Sequence, residues 1–493
     1  MLENLGELDQ HFLKVNCRPA TGNGLPALHS ASEMGELQIQ VEGKLFTVDK
    51  SLLVRSSEYF RALFESGMRE STQEEIQLHG FSSLGFLILI RVLSGERPIL
   101  DADEILCAIE CAAFLQAEAL VRHLKNLLNS DNCLLMYHAA ATFGLLDLAH
   151  GAALYIRDVR HELPGYPESL PTDLLDYVEK LPPSTFVAVG AHTPTFEFLE
   201  DVSRAICYLD EDENRWLTLG CLPDNASTFL AGITSLDNKI YIVGGVHGAN
   251  KLIVDLSFCY DVEGDSWSQF PSPQQLRYDV ALVGHEGHLY AIGGELNRVS
   301  LKSVEKYKVS SKTWDFVSDL PQPAAGVPCA KAMGRIFVCL WKPLDTTIIY
   351  EYHLEEDAWL PLTSIKRQQS YGHCMVAHRD NLYMMRNGPS DDFLRCIIEC
   401  FNISTCQWTS LSGQFVNSKG ALFTAVVRGD TIFTVNKALT LLYAVEGNMW
   451  KPKKEKPGFS KGGSLHTFLL RLPKGRQKAA PKSIGDVFPL PEV

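Results

Sequence analysis

KIYIVGG at residues 239–245 and HLYAIGG at 288–294 decide how the second half of this chain folds, because the same run returns three more times. Its later forms are RIFVCL (335–340), NLYMM (381–385) and TIFTV (431–435). Each copy is rich in β-branched and aromatic residues and follows a polar turn, as a strand does. A short segment with an aromatic comes next: Tyr260, Tyr307, Tyr352, Phe401 or Tyr443, with Tyr208 ahead of them all. A tryptophan completes each unit. Trp216, Trp267, Trp314, Trp359, Trp408 and Trp450 are spaced by 51, 47, 45, 49 and 42 residues. A period of ~40–50 residues belongs to solenoids and propellers.

A unit of this size is a small twisted sheet that cannot bury both faces alone. Packing six of them radially covers the faces and leaves only short edges exposed. A Gly pair lets the backbone approach a neighbour and take dihedrals closed to other residues. A large aromatic at a fixed place in each unit fills the gap between adjacent sheets. The diglycine survives only at Gly244-Gly245 and Gly293-Gly294, and a Tyr-Asp pair only at Tyr260-Asp261. These residues resemble the kelch repeat over residues 186–472, which implies an all-β six-bladed kelch propeller. The β-rich SLHTFLLRL (464–472) follows the last tryptophan unit, and the first blade, from Phe186, lacks an upstream strand of its own. Pairing the two chain ends is expected to close the ring and remove both edges.

The first half reads differently. Leu37, Ile39 and Val41 alternate with polar residues, Glu42-Gly43 turns the chain, and 45–48 returns as a second strand. Ser57 is placed to cap a helix with Tyr59, Phe60, Leu63 and Phe64 on one face, and Gly67 to end it. Asp101 and Asp103 can cap a further helix carrying Leu106, Ile109, Ala113 and Phe114, followed by another over 118–128. The stretch EGKLFTVDKSLLVRSSEYFRALFESGMRES (42–71) resembles the BTB (POZ) domain, an α/β fold, with Asp49 standing where that family usually carries His. Residues 130–158 read as a helical hairpin capped by Asp131, broken at Gly144 and restarted near Asp147. They resemble the start of the BACK domain of the kelch-like adaptors. A Pro-rich run (164–171), one helix (173–181) and Pro182-Pro183 lead into the first blade. The expected multidomain organisation is an N-terminal extension (1–35), the BTB domain (36–129), a short α-helical BACK-like linker (130–183), the propeller (184–472) and a basic tail (473–493).

Composition excludes several functions. A formal charge of −14 argues against general nucleic-acid or acidic-membrane binding, and the basic C-terminus reads as a solvated tail. No apolar run approaches the ~18 residues of a membrane span. The first residues carry no secretory signal and the 13 cysteines have no regular spacing, so a cytoplasmic protein with reduced thiols is expected. No nucleophile elbow, phosphate loop or H-E-x-x-H occurs, and no catalytic residue is assigned. Neither His373, Cys374 and His378 nor Cys396, Cys400 and Cys406 converges as metal ligands should. Neighbours in a strand point to opposite faces, so no metal and no cofactor is expected. The helical pair Cys107 and Cys111 reads as core.

One motif stands out. Met68-Arg69-Glu70 follows the BTB helix and matches the hydrophobic-x-Glu turn of cullin-binding BTB proteins. The resemblance implies a non-catalytic adaptor: a homodimer through BTB, binding cullin-3 with Met68, Glu70, Tyr59 and Phe64. Its propeller would capture a protein substrate for a RING ubiquitin ligase. A dimeric scaffold on a cytoskeletal protein is the rival reading, separated by whether bound cullin alters the partner's ubiquitination. Rigid scaffolds present binding residues on loops, so Arg277, Tyr278, Tyr371, Asn387 and Asp391 are the candidate substrate contacts.

Overall fold

The computed structural model describes residues 35–66, 73, 75–192, 203–247, 252–342, 346–366, 374–387, 395–411, 415–416, 423–436, 441–446, 449–452 and 461–473. Two compact units emerge, one of residues 1–156 and 165–174, the other of 157–164 and 175–493. The segment 130–183, read as a linker, is therefore shared between them.

In the first unit β1 (Glu36–Val41) and β2 (Lys44–Asp49) form the expected hairpin, turning through left-handed Glu42 and Gly43. Leu37, Ile39 and Val41 all point inward. α1 (Lys50–Ser56) and α2 (Glu58–Glu65) follow, and β3 (Glu75–Leu78) adds parallel to β1 in the order β2-β1-β3. Asp49, the departure from family usage, is the N-cap of α1. Its Oδ1 accepts from the Ser51 hydroxyl (2.6 Å) and from the backbone N–H of Ser51 (2.7 Å) and Leu52 (3.3 Å). These bonds, the Ser51 hydroxyl first, hold the carboxyl below its ordinary range. Ser57 caps α2 as read, and its hydroxyl also donates to Leu115 O at 2.5 Å.

Helices α3 (Ser83–Leu93), α4 (Ala102–Leu115) and α5 (Glu118–Asn126) complete the domain, α4 opening with a capping box between Asp101 and Glu104. α6 (Cys133–Thr142), α7 (Leu146–Val159) and α8 (Thr172–Lys180) come next. Asp131 is not the cap of α6. Asn129 takes over the turn, its Oδ1 accepting from the N–H of Asp131 (2.9 Å) and Asn132 (3.2 Å). Gly144, with φ +75°, does end α6. Among the described residues no helix is long and apolar enough to cross a membrane.

The second unit is a six-bladed propeller. Blade two shows the pattern: an inner strand (Gly232–Leu236), then Lys239–Val243, Ser257–Asp261 and an outer strand (Ser266–Phe270). Blades three to six repeat it from inner strands Ala281–His285, Cys329–Ala332, Cys374–His378 and Phe423–Arg428. Blade one takes its inner strand from the C-terminus. Lys461–Arg471 pairs antiparallel with Ser184–His192, register Arg471↔Ser184 to Leu465↔Gly190 and on past a bulge. The ring closes as expected, and each inner strand touches the next around the circle.

Three of the repeat tryptophans do what their spacing predicts. Trp267, Trp314 and Trp359 donate their indole N–H to main-chain carbonyls of the preceding blade, Cys221, Pro271 and Ser318, at 2.9, 2.6 and 2.9 Å. Each ring lies against the tyrosine opposite it, centroids 5.0, 5.0 and 4.7 Å apart. One repeat aromatic is misread. In blade one Leu209, not Tyr208, pairs with Trp216, while Tyr208 packs on the other face toward blade two. From Tyr208↔Leu217 through Leu209↔Trp216 to the turn the pairing is regular, so Tyr208, one residue earlier than the repeat position, points to the opposite face.

Candidate functional site

Two surfaces carry the candidate residues. On the first unit, α2 presents its aromatic face beside α4. Phe60 is fully buried, whereas Tyr59 and Phe64 are half-buried. The Tyr59 ring meets Phe60 edge-on at 5.5 Å and leans on Phe114 at 5.5 Å; Phe114 in turn packs on Phe81 at 5.0 Å. Phe114 remains 40% exposed. Gly80, with φ +100°, permits this stack, because a Cβ there would come within 3.0 Å of the Phe114 ring. Lys50 Nζ sits 4.0 Å from the Phe64 centroid, a cation over an aromatic face. The exposed parts of Tyr59, Phe64 and Phe114 offer apolar surface ending in charge. α2 stops at Ser66; Gly67, Met68 and Glu70 lie outside the described residues.

On the second unit the candidates separate. Arg277 is interior, not on the loop surface. It is 1% exposed, and all five of its N–H donors are used: Nε to Gln275 O, Nη1 to Gly293 O and Ser303 O, Nη2 to Ser303 Oγ and Glu305 Oε1. The Glu305 carboxylate also accepts from the backbone N–H of Gln274 (2.6 Å) and Gln275 (3.0 Å). The pair pins the loop before blade three into the blade. Burial pulls the Arg277 guanidinium below its usual pKa, while Glu305 pulls it back up. Tyr278 is likewise interior: at 3% exposure it bridges to Glu295, and its hydroxyl accepts from Arg298 N–H at 3.3 Å. Asn387 ends a strand (Asn381–Asn387). Tyr371 and Asp391 lie outside the described residues.

The surface that sequence reading missed is apolar and sits at the end of the ring carrying the diglycine loops. Two short ribbons rise there, Val246–His247 with Leu252–Ile253 and Glu295–Leu296 with Val299–Ser300. Leu252 and Val299 on the ribbons, with Phe229 and Leu276 on the loops between blades, are 68, 65, 45 and 38% exposed.

Among the described residues no three metal-ligating side chains converge. Cys400 is buried between blades five and six while Cys406 is exposed at a turn, and His378 faces Asp430 at 3.2 Å. Cys111 is buried in α4, and that burial drives its thiol far above the ordinary range.

Comparison with known proteins matches the BTB/POZ domain at residues 27–132 and the Kelch motif at 228–274 and 276–321. The two motif matches contain the two surviving diglycines. Kelch repeat and BTB domain-containing protein 13 of Homo sapiens is 58% identical over 440 residues, 89% of this chain and 96% of the relative. Its Mus musculus counterpart is 59% identical over the same shares. Kelch-like protein 26 of Danio rerio is 24% identical over 494 aligned positions, covering 79% of this chain and 81% of the relative.

Proposed function

The chain belongs to the BTB–kelch family, and from that premise we propose that it is a non-catalytic, cytoplasmic substrate adaptor of a cullin-3 RING ubiquitin ligase. It dimerises through BTB, docks the cullin through α2 and the turn after it, and holds a protein substrate on the apolar loop end of the propeller. The observation that carries this reading is the half-buried Tyr59–Phe64 face of α2, which Met68-Arg69-Glu70 follows in sequence. A Met can fill an irregular apolar groove and a Glu can supply a charge-assisted bond at its rim.

The test replaces Met68 by Asp and Glu70 by Ala in the full-length chain. A charge in an apolar groove is expensive to desolvate, and the lost charged hydrogen bond is worth about 1.5–3 kcal/mol. Cullin-3 co-purification should be lost, with the dimer intact by light scattering and propeller partners still bound. Wild-type cullin binding by the folded double variant refutes the site. No cullin binding by the wild type favours the cytoskeletal scaffold instead.

A further inference from the structure

We propose that residues 157–160 and 179–183 form a clip that locks the seam of the propeller ring, with Arg471 as its latch. A ring made by pairing the two ends of a chain has one joint that no covalent turn holds, here between Lys461–Arg471 and Ser184–His192. The other inner strands turn into their neighbours through two-residue hairpins such as Asp237-Asn238 and Gly429-Asp430. At the corresponding corner of blade one the chain supplies side chains in place of a turn.

Arg471 gathers four parts of the unit. Its guanidinium grips Asp158, in the last turn of α7, through Nη2–Oδ2 at 2.7 Å and Nη1–Oδ1 at 3.0 Å, and Nη1 also donates to Pro182 O at 2.7 Å. Asp158 Oδ1 accepts in addition from Ser184 N–H at 2.8 Å, so one carboxylate holds both strands of the seam. The main chain of Arg471 is held from blade two. Asn238 donates Nδ2–H to Arg471 O (2.9 Å) and accepts Arg471 N–H on Oδ1 (2.8 Å), imitating a strand partner. Asn238 reaches it from a left-handed turn position, φ +57°.

The clip also touches the blade on the far side of the seam. Val159 abuts the hairpin of blade six so closely that a Cβ on Gly429 would lie 2.2 Å from Val159 Cγ1. The clip is internally braced. Arg157 Nε donates to Leu181 O at 2.8 Å, and Arg157 and Arg160 both hold Glu179 at 2.7 Å. Residues 158–159 therefore meet blades one and six, and Arg471 carries the contact on to blade two through Asn238. The Arg471 and Asp158 side chains are only 21 and 13% exposed, where a bidentate charge-assisted pair is strongest. On this reading the ring becomes whole only when the last strand and the clip engage together.

Hydrogen exchange on the full-length protein tests the coupling. Asp158→Ala and Arg471→Met should each speed exchange in the closing strand and in 184–192 at least tenfold. The double variant should be scarcely faster than either single, because one latch has been broken. Blades three and four and the BTB domain should keep wild-type protection. Restoring protection with the reversed pair Asp158→Arg/Arg471→Asp would identify the ion pair as the agent. If Arg471→Met does not fold, Asp158→Asn carries the test, since it keeps an acceptor for Ser184 N–H and loses only the charge. Closing-strand protection unchanged in a folded Asp158 variant, or strictly multiplicative effects in the double, overturns the proposal.

Discussion

Blades three and five bury the same carboxylate and neutralise it from different places. Glu305 lies two residues before Tyr307, and Glu399 two before Phe401, at matching positions opposite Ala291 and Met384. In blade three the guanidinium comes from Arg277, on the loop before the blade, and the first diglycine position is Gly293. A side chain there would strike the Ala324 carbonyl at 2.3 Å. In blade five the residue at the Gly293 position is Arg386, and it reaches Glu399 at 3.2 Å with both side chains only 10% exposed. Ser370 stands where Arg277 would. A pattern search sees a lost glycine and a lost arginine, whereas electrostatics sees one buried charge still neutralised. A buried carboxylate must be paired, and the chain position that delivers the cation is secondary.

The comparison breaks if the two pairs differ in kind. Arg277→Met leaves Glu305 buried and uncompensated, and should cost the propeller about 3–5 kcal/mol in denaturant unfolding. Arg386→Met should fall at the lower end of that range, since its site is slightly wetter. Replacing both partners of blade three, Arg277→Met with Glu305→Leu, should recover part of the loss. Destabilisation by Arg277→Met but none by Arg386→Met would mean that only blade three depends on its charge pair.

Blade five also differs in how its tryptophan is held, which sharpens the contrast at lower energy. Trp408 donates to the Thr363 hydroxyl at 3.0 Å, whereas Trp267, Trp314 and Trp359 use main-chain carbonyls that no side-chain change removes. Thr363→Val should cost about 1 kcal/mol and quicken exchange of the Trp408 indole proton alone. Unchanged indole exchange would show that the bond is dispensable.

The smallest effect separates the propeller from the BTB domain. His123 is 3% exposed, with Nε2 2.9 Å from Pro98 O and Nδ1 unpartnered. Burial lowers its pKa to about 4. The unfolded chain then binds the proton more readily, so BTB stability falls as pH drops from about 6.5 toward 4. Between pH 7 and pH 6 the loss should be about 0.7 kcal/mol. His123→Gln should flatten that slope in BTB unfolding and leave the propeller transition unmoved. A slope that survives the substitution assigns it to other groups.

Much of this was written along the chain. The tryptophan period, the alternation of Leu37, Ile39 and Val41 and the Ser57 cap are local or strictly repeating, because hairpins and helix ends form between near neighbours. Even the misread Tyr208 left a trace. Aromatic and tryptophan stand seven residues apart in blades two to five, and Tyr208 stands eight from Trp216, which leaves Leu209 at seven.

Sequence by itself determined the repeat, the number of blades, the strand that closes the ring and the helix that leads into Met68-Arg69-Glu70. Tertiary structure alone decided which polar residues are interior. Arg277 reads as a loop residue facing solvent, yet its side chain is buried against the strand ends of blade three. Asp158, 313 residues before Arg471, holds the seam. The physical reason is that a strand's period is set by its own backbone, whereas the pairing of a buried charge depends on which distant segments converge around it, and no local pattern records that.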